Sequence, residues 1–181
     1  MNPLGLIDIG ANITHPQLYN QLDKVVENMR SKGISKAIIT SSNLGDTRTA
    51  LDIIKAYPDF FYTTVGYHPH NSKDFSHDDI DLIIKYTKNN KVLAIGECGL
   101  DYYREYSSKD DQLFCFEEQL EVAKAIRLPI FLHEREAHKD FVNTLKKHIL
   151  DINKSVVHCF TGTKDELKTY LDMGCYIGIT G

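Results

Sequence analysis

The chain has 181 residues, 42% of them hydrophobic, with 25 acidic against 21 basic side chains and a formal net charge of -4. That content suits one domain over 1–181 with a full core and excludes a disordered chain, while the charge excludes a globally basic nucleic-acid coat protein. It does not exclude an enzyme that grips a few phosphates locally. Cys98, Cys115, Cys159 and Cys175 show neither CxxC pairing nor dense spacing, which speaks against a zinc ribbon or a disulfide framework and for reduced thiols. MNPLGLIDIG has no basic leader, and no stretch approaches the ~18 apolar residues that span a bilayer. The expectation is a cytoplasmic chain without a membrane partner.

The first apolar β-type run, LGLIDI at 4–9, leads into a helical pattern over 17–32. There Leu18, Leu22, Val25, Val26 and Met29 recur at helical spacing, and Gly33 is the stop signal. KAIIT at 36–40 precedes a second helix over 43–57, ended by Pro58. FFYTTVG at 60–66 and KVLAIGE at 91–97 follow, then a helix over 111–127. PIFLH at 129–133, SVVHCF at 155–160 and CYIGITG at 175–181 bring the strand count to seven. These runs are near-continuous in hydrophobicity, as strands covered on both faces require, which predicts parallel pairing.

Alternating strands and helices define an α/β chain whose options are a closed (β/α) barrel or an open doubly wound sheet. LGLIDIGANITH carries no GxGxxG and no P-loop, so the barrel is expected. A complete (β/α)8 barrel takes about 250 residues and eight strands. The expectation is therefore a TIM barrel of about seven strands with the eighth missing.

Three of the runs end on metal-ligand side chains: VLAIGE on Glu97, PIFLH on His133 and SVVH on His158. The carboxyl ends of parallel barrel strands share one face, so these residues are expected to meet there around a divalent metal. A hydrolase metal needs few protein ligands and open positions for water and a substrate oxygen. Imidazole suits zinc or manganese and magnesium prefers oxygen, so ligand type leaves the ion open.

GYHPH puts His68 and His70 directly after the third strand, where an imidazole can contact a phosphate or shuttle a proton; His68 lies closer to the strand. Arg135 and Arg104 can each place a planar fork on a phosphate. Tyr102 and Phe160 offer stacking faces for a base, against the plainer reading of packing. His15, His77, His138 and His148 read as exposed or capping residues, and Cys98 and Cys159 as small packing residues.

Taken together, LIDIGANIT, VGYHPH, AIGECGLDYYR, PIFLH, VVHCFTGT and YIGITG resemble the TatD family of metal-dependent deoxyribonucleases. The resemblance implies a (β/α)8 barrel of the metal-dependent hydrolase superfamily. It further implies phosphodiester hydrolysis and, in the TatD branch, 3′-5′ trimming of single-stranded DNA or RNA by a monomeric enzyme. The family's metal ligands carry over as Glu97, His133 and His158, with Mg2+ as the implied ion and Mn2+ or Zn2+ as alternatives. Read from the residues, Glu97 and His68 are the expected catalytic residues, and Arg135, His70 and Arg104 are assigned to the substrate.

Two departures stand out. Gly10 and Asn12 occupy the positions of the HxH pair that many relatives use for a second metal. The family's eighth-strand aspartate has no counterpart within the 181 residues, so an inactive fragment is one expectation. The rival readings are an amidohydrolase or lactonase, against which no strand-end lysine stands ready to bridge metals, and a non-catalytic truncated barrel that binds partners through an open edge.

Overall fold

The computed structural model describes residues 5–148 and 154–180. Its strands are Leu6–Ala11 (β1), Ile34–Ile39 (β2), Phe61–Val65 (β3), Val92–Asp101 (β4), Ile130–Arg135 (β5), Ser155–Val157 (β6) and Tyr176–Ile177 (β7). They form one seven-stranded sheet in the order β1-β2-β3-β4-β5-β6-β7, and every neighbouring pair is parallel. Sequential order without a reversal is what successive βα units produce in a barrel, whereas a doubly wound sheet switches direction midway. The result is a curled half-barrel. Leu4 and Gly181, the outermost residues of the first and last expected strands, lie outside the described residues.

The helices are Pro16–Tyr19 (α1), Leu22–Ser31 (α2), Leu44–Ala56 (α3), Asp78–Thr87 (α4), Lys109–Ile126 (α5), His138–Lys146 (α6) and Lys164–Asp172 (α7), with a 3-10 turn over Pro69–Asp74. Side chains set several starts: Asn43 caps α3, Ser108 caps α5, and Thr163 with Glu166 forms a capping box on α7. The single helix expected over 17–32 is two, because Gln21 takes a non-helical conformation between them. None of the described helices is long and apolar enough to cross a membrane.

Burial is more complete in the middle of the sheet than at its edges, although Ile38, Leu93, Ala94 and Val156 line an open pocket there. Leu6 and Ile7 on β1 are 65% and 58% exposed and Tyr176 on β7 is 62% exposed. Each edge strand has a neighbour on one side only, so its apolar run is left partly in solvent. The main core lies between the central strands and α4 to α7, built on Val65, Ile95, Leu132 and Val157 among others. A smaller cluster joins β1 and β2 to α2 and α3.

This packing aims the strand ends. Leu132 is fully buried and Val157 is 1% exposed. Successive strand side chains alternate faces, so burying Leu132 and Val157 turns His133 and His158 to the opposite side. On β4 the strand continues past Glu97 to Asp101, rather than turning away at its glycines, with a register shift against β5 between Ile95 and Cys98. Gly99 pairs with His133, and at φ 142° a Cβ there would stand 1.9 Å from the His133 carbonyl oxygen. Only glycine permits that approach.

Gly99→Ala is therefore expected to destabilise the protein by about 3 kcal/mol or more, read as a lower denaturation midpoint. A midpoint matching the wild type would show that β4 and β5 separate freely at this point.

Candidate metal centre

Glu97 projects from β4, His133 from β5 and His158 from the residue after β6. His133 Nδ1 lies 2.9 Å and His158 Nε2 2.6 Å from the same Glu97 oxygen, Oε1. His68, which caps the 3-10 turn after β3, brings Nε2 to 3.5 Å from that oxygen and 3.3 Å from His133 Nδ1. His68, Glu97 and His133 thus offer one ligand atom each within 4.8 Å of one another, with His158 against the same carboxylate.

Asp101, at the end of β4, forms a second hub that the sequence reading left without a role. It is fully buried, and its Oδ2 lies 2.8 Å from His70 Nε2 and 3.2 Å from both His133 Nε2 and Arg104 Nη1. Its Oδ1 accepts the backbone N–H groups of Tyr103 and Arg104. The available signal was its position in IGECGLD, four residues after Glu97. Only a strand that continues brings both carboxylates to opposite nitrogens of one imidazole.

Burial opposes the charge on Glu97, yet the His133 and His158 hydrogen bonds hold its carboxyl far below the usual carboxylate range. Asp101 is likewise held low, against burial, by His133, the Arg104 backbone and His70. For His133 burial favours the neutral ring, but Asp101 and Glu97 on its two sides raise it to about 9. His68 goes the other way: burial pushes it down to about 3, against the pull of Glu97 and with the push of His133.

The donor chemistry fits a divalent metal. Asp101 accepts from one side of His133, orienting the ring and leaving Nδ1 toward Glu97, the usual support for a ligating imidazole. His68 is placed differently. Its Nδ1 accepts the His70 N–H at 3.1 Å, so the neutral ring carries its hydrogen at Nε2 and acts there as a donor. A cation between Glu97, His133 and His158 would take the place of the proton that His133 now holds.

Two buried glutamines on α5 fix the surroundings. Gln119 accepts the Tyr67 N–H at 2.8 Å and donates to the Tyr67 carbonyl at 3.1 Å, next to His68. Gln112 makes the same reciprocal pair with the Asp101 backbone, at 2.8 and 3.1 Å. Each side-chain amide stands in for a strand neighbour where the ladder has ended.

The cluster opens on a cavity of about 800 Å3 whose lining includes Glu97, His68, His158, His70, Arg104 and Tyr106. Gly10 and Asn12 also face it. Arg135 is not part of the lining; its guanidinium lies 4.3 Å from the centre of the Tyr103 ring. Tyr102 bonds Asp140 and lies under Lys109, and Phe160 packs on the core, so neither presents a free stacking face here. His15 caps α1 and His77 is exposed, as expected. His138 instead bonds the buried Tyr170 hydroxyl, and His148 is buried beside Glu121. Cys98 is fully buried, whereas Cys159 is exposed.

The family model for TatD related DNase matches residues 7–181. The 3′-5′ ssDNA/RNA exonuclease TatD of Erwinia tasmaniensis is 39% identical over 176 residues, 97% of this chain and 68% of its own length. Among solved structures, a hydrolase TatD family protein from Entamoeba histolytica is similar at a TM-score of 0.88 and 32% identity, over 97% of this chain and 64% of that one. An uncharacterized amidohydrolase from Saccharomyces cerevisiae gives 0.87 at 26% identity, over 98% and 68%. The chain thus spans about two thirds of the length of these relatives.

Asp101→Asn is expected to destabilise the metal-free protein by about 3 kcal/mol, because it leaves the largely buried His133 without one of its two carboxylates. In chelator, His133 keeps its proton in the fold up to about pH 9, but in the unfolded chain only up to its ordinary 6.5. That contribution is complete below pH 6.5 and lost as pH rises through about 9, so the melting temperature should fall across this window. A level profile there would contradict the pairing of His133 with both carboxylates.

Proposed function

The chain belongs to the TatD related DNase family, and from that premise we propose that it hydrolyses phosphodiester bonds, trimming single-stranded DNA or RNA from the 3′ end. The observation that carries this reading is the convergence of His133 and His158 on one Glu97 oxygen at the floor of a polar cavity. Glu97, His133 and His158 would hold the ion, Mg2+ by kinship with Mn2+ or Zn2+ as substitutes. When bound, a divalent cation supplies Lewis acidity toward a phosphate oxygen and a water of lowered pKa.

The chain's own residues do the rest. His68, neutral and hydrogen-bearing at Nε2, donates toward the scissile phosphate from beside the ligands, while Glu97 keeps its negative charge at neutral pH. Arg104, held by Asp101 and 39% exposed along its side chain, turns its remaining donors to the substrate's phosphates. His70, fixed by Asp101, closes the wall behind His68. Arg135 serves a neighbouring phosphate only after leaving Tyr103. One continuous sheet supports reading the chain as a single domain acting as a monomer, since all the proposed ligands come from one copy. Four free cysteines support a reducing, cytoplasmic setting.

A second reading, hydrolysis of a small amide or lactone, draws on the likeness to the yeast protein named an amidohydrolase. The donor set favours the nuclease. Among the described residues the cavity's one lysine, Lys73, sits in the 3-10 turn rather than at a strand end, leaving no bridging carboxylated lysine.

Incubated with a 5′-labelled single strand and Mg2+ or Mn2+, the protein is expected to give a ladder shortened from the 3′ end. Glu97→Ala and His158→Ala should each lose at least about 100-fold in rate. Mn2+ should raise the melting temperature of the wild type and not of Glu97→Ala. Full activity in Glu97→Ala would refute the site, and lactone turnover without nuclease activity would favour the second reading.

A further inference from the structure

Tyr106 is a large aromatic left 63% exposed, yet it lines the same cavity as Glu97, His68 and His158. Its ring meets His70 edge to face, with centroids 4.8 Å apart and planes at 69°. That contact leaves ring surface open. His70 cannot swing aside to cover it, because its Nε2 is committed to Asp101. Tyr103, also exposed, has a face occupied by Arg135.

The position of Tyr106 is built rather than loose. The next residue, Ser107, is 3% exposed, donates from Oγ to the His70 carbonyl at 3.0 Å and accepts the Lys73 N–H at 3.1 Å. Gln112 donates to the Ser107 carbonyl at 3.0 Å. On the other side, Arg104 is tied to Asp101 through both its backbone and its guanidinium. Tyr106 therefore sits between two anchored residues, and little freedom remains to be lost when something stacks on it.

A flat apolar face beside Arg104 and Lys73, at the rim of a carboxylate and imidazole floor, matches a nucleotide. The ring takes the base, and the cations take the phosphate. The cavity, about 800 Å3, is of a size that holds one such unit. We propose that Tyr106 is the stacking platform for the base of the nucleotide entering this cavity from the 3′ end, forming with Arg104 and Lys73 a sequence-tolerant nucleobase subsite. The proposal rests on the nuclease reading above. Every base presents a π-face, so such a platform accepts any of them and requires the base to be unpaired.

The chain contains no tryptophan, so Tyr106→Trp introduces a single reporter. Titrated in EDTA with a fluorescein-labelled single-stranded hexanucleotide, this variant should show saturable quenching of its indole emission, in step with the strand's anisotropy. A strand lacking its two 3′-terminal bases should bind about 5- to 100-fold more weakly without quenching. Tyr106→Ala should weaken the intact strand by the same factor and leave the abasic strand unaffected, with an unchanged melting temperature. Binding without a change in emission, or equal weakening of both strands by Tyr106→Ala, overturns the platform while leaving the nuclease reading intact. Quenching by the intact strand without any cleavage in Mg2+ or Mn2+ supports the platform and removes the nuclease reading. Absence of binding to either strand removes the platform, and cleavage is then scored by itself.

Discussion

One carboxylate oxygen organises this molecule. Glu97 Oε1 draws in His133 and His158 at hydrogen-bond distance and has His68 within 3.5 Å, all in surroundings that exclude most water. A charge with a side chain only 12% exposed is tolerable in such a place only when its partners are held firmly, because the cost of losing one of them is severe. The positions of β3, β4, β5 and the end of β6 are thus tied to a single point. The second carboxylate, Asp101, locks the far side of His133 and extends the same network to His70 and Arg104.

The apolar scaffold behind the site supplies the firmness. Val65, Ile95, Leu132 and Val157 pack into one core, and for Leu132 and Val157 the period of two converts that packing into a direction for the histidine that follows. Where the strands stop pairing, α5 takes over through Gln112 and Gln119, whose amides close the hydrogen bonds of Asp101 and Tyr67. Buried polar groups this fully satisfied rigidify what they touch. Gly99 lets β4 lie close enough to His133 for the two carboxylates to reach it from both sides.

Charge is distributed across the cavity in a way that suits a phosphodiester. The floor carries Glu97 and imidazoles, a set that selects a cation, while Arg104 and Lys73 stand on the wall, where they attract an anion. On the proposed reading, substrate phosphate and metal would meet between regions of opposite sign. Kinship with nucleases named for single-stranded substrates agrees with a cavity whose lining includes the exposed Tyr106 ring.

Much of this was legible in the sequence, and the reasons are local. An apolar run ending in Glu97, His133 or His158 reports both a strand and a ligand at its carboxyl end, because strand formation and face alternation depend on neighbours along the chain. Strand number and parallel pairing follow from the same periodicities, and sequential order from the barrel that the lack of a GxGxxG or P-loop favours. Other features depend on what lies across space. Asp101 gains its place only because β5 pairs with β4 beyond Glu97, and the exposed aromatic ring lining the cavity is Tyr106 rather than Tyr102 or Phe160. An open apolar edge follows from a sheet one strand short of a barrel, and the exposed Leu6 and Ile7 place part of it on β1. By itself, then, the sequence determined which residues stand at strand ends and what chemistry they carry. Only tertiary structure decided which nitrogen faces which oxygen, since those distances are set by register between strands that the chain visits far apart.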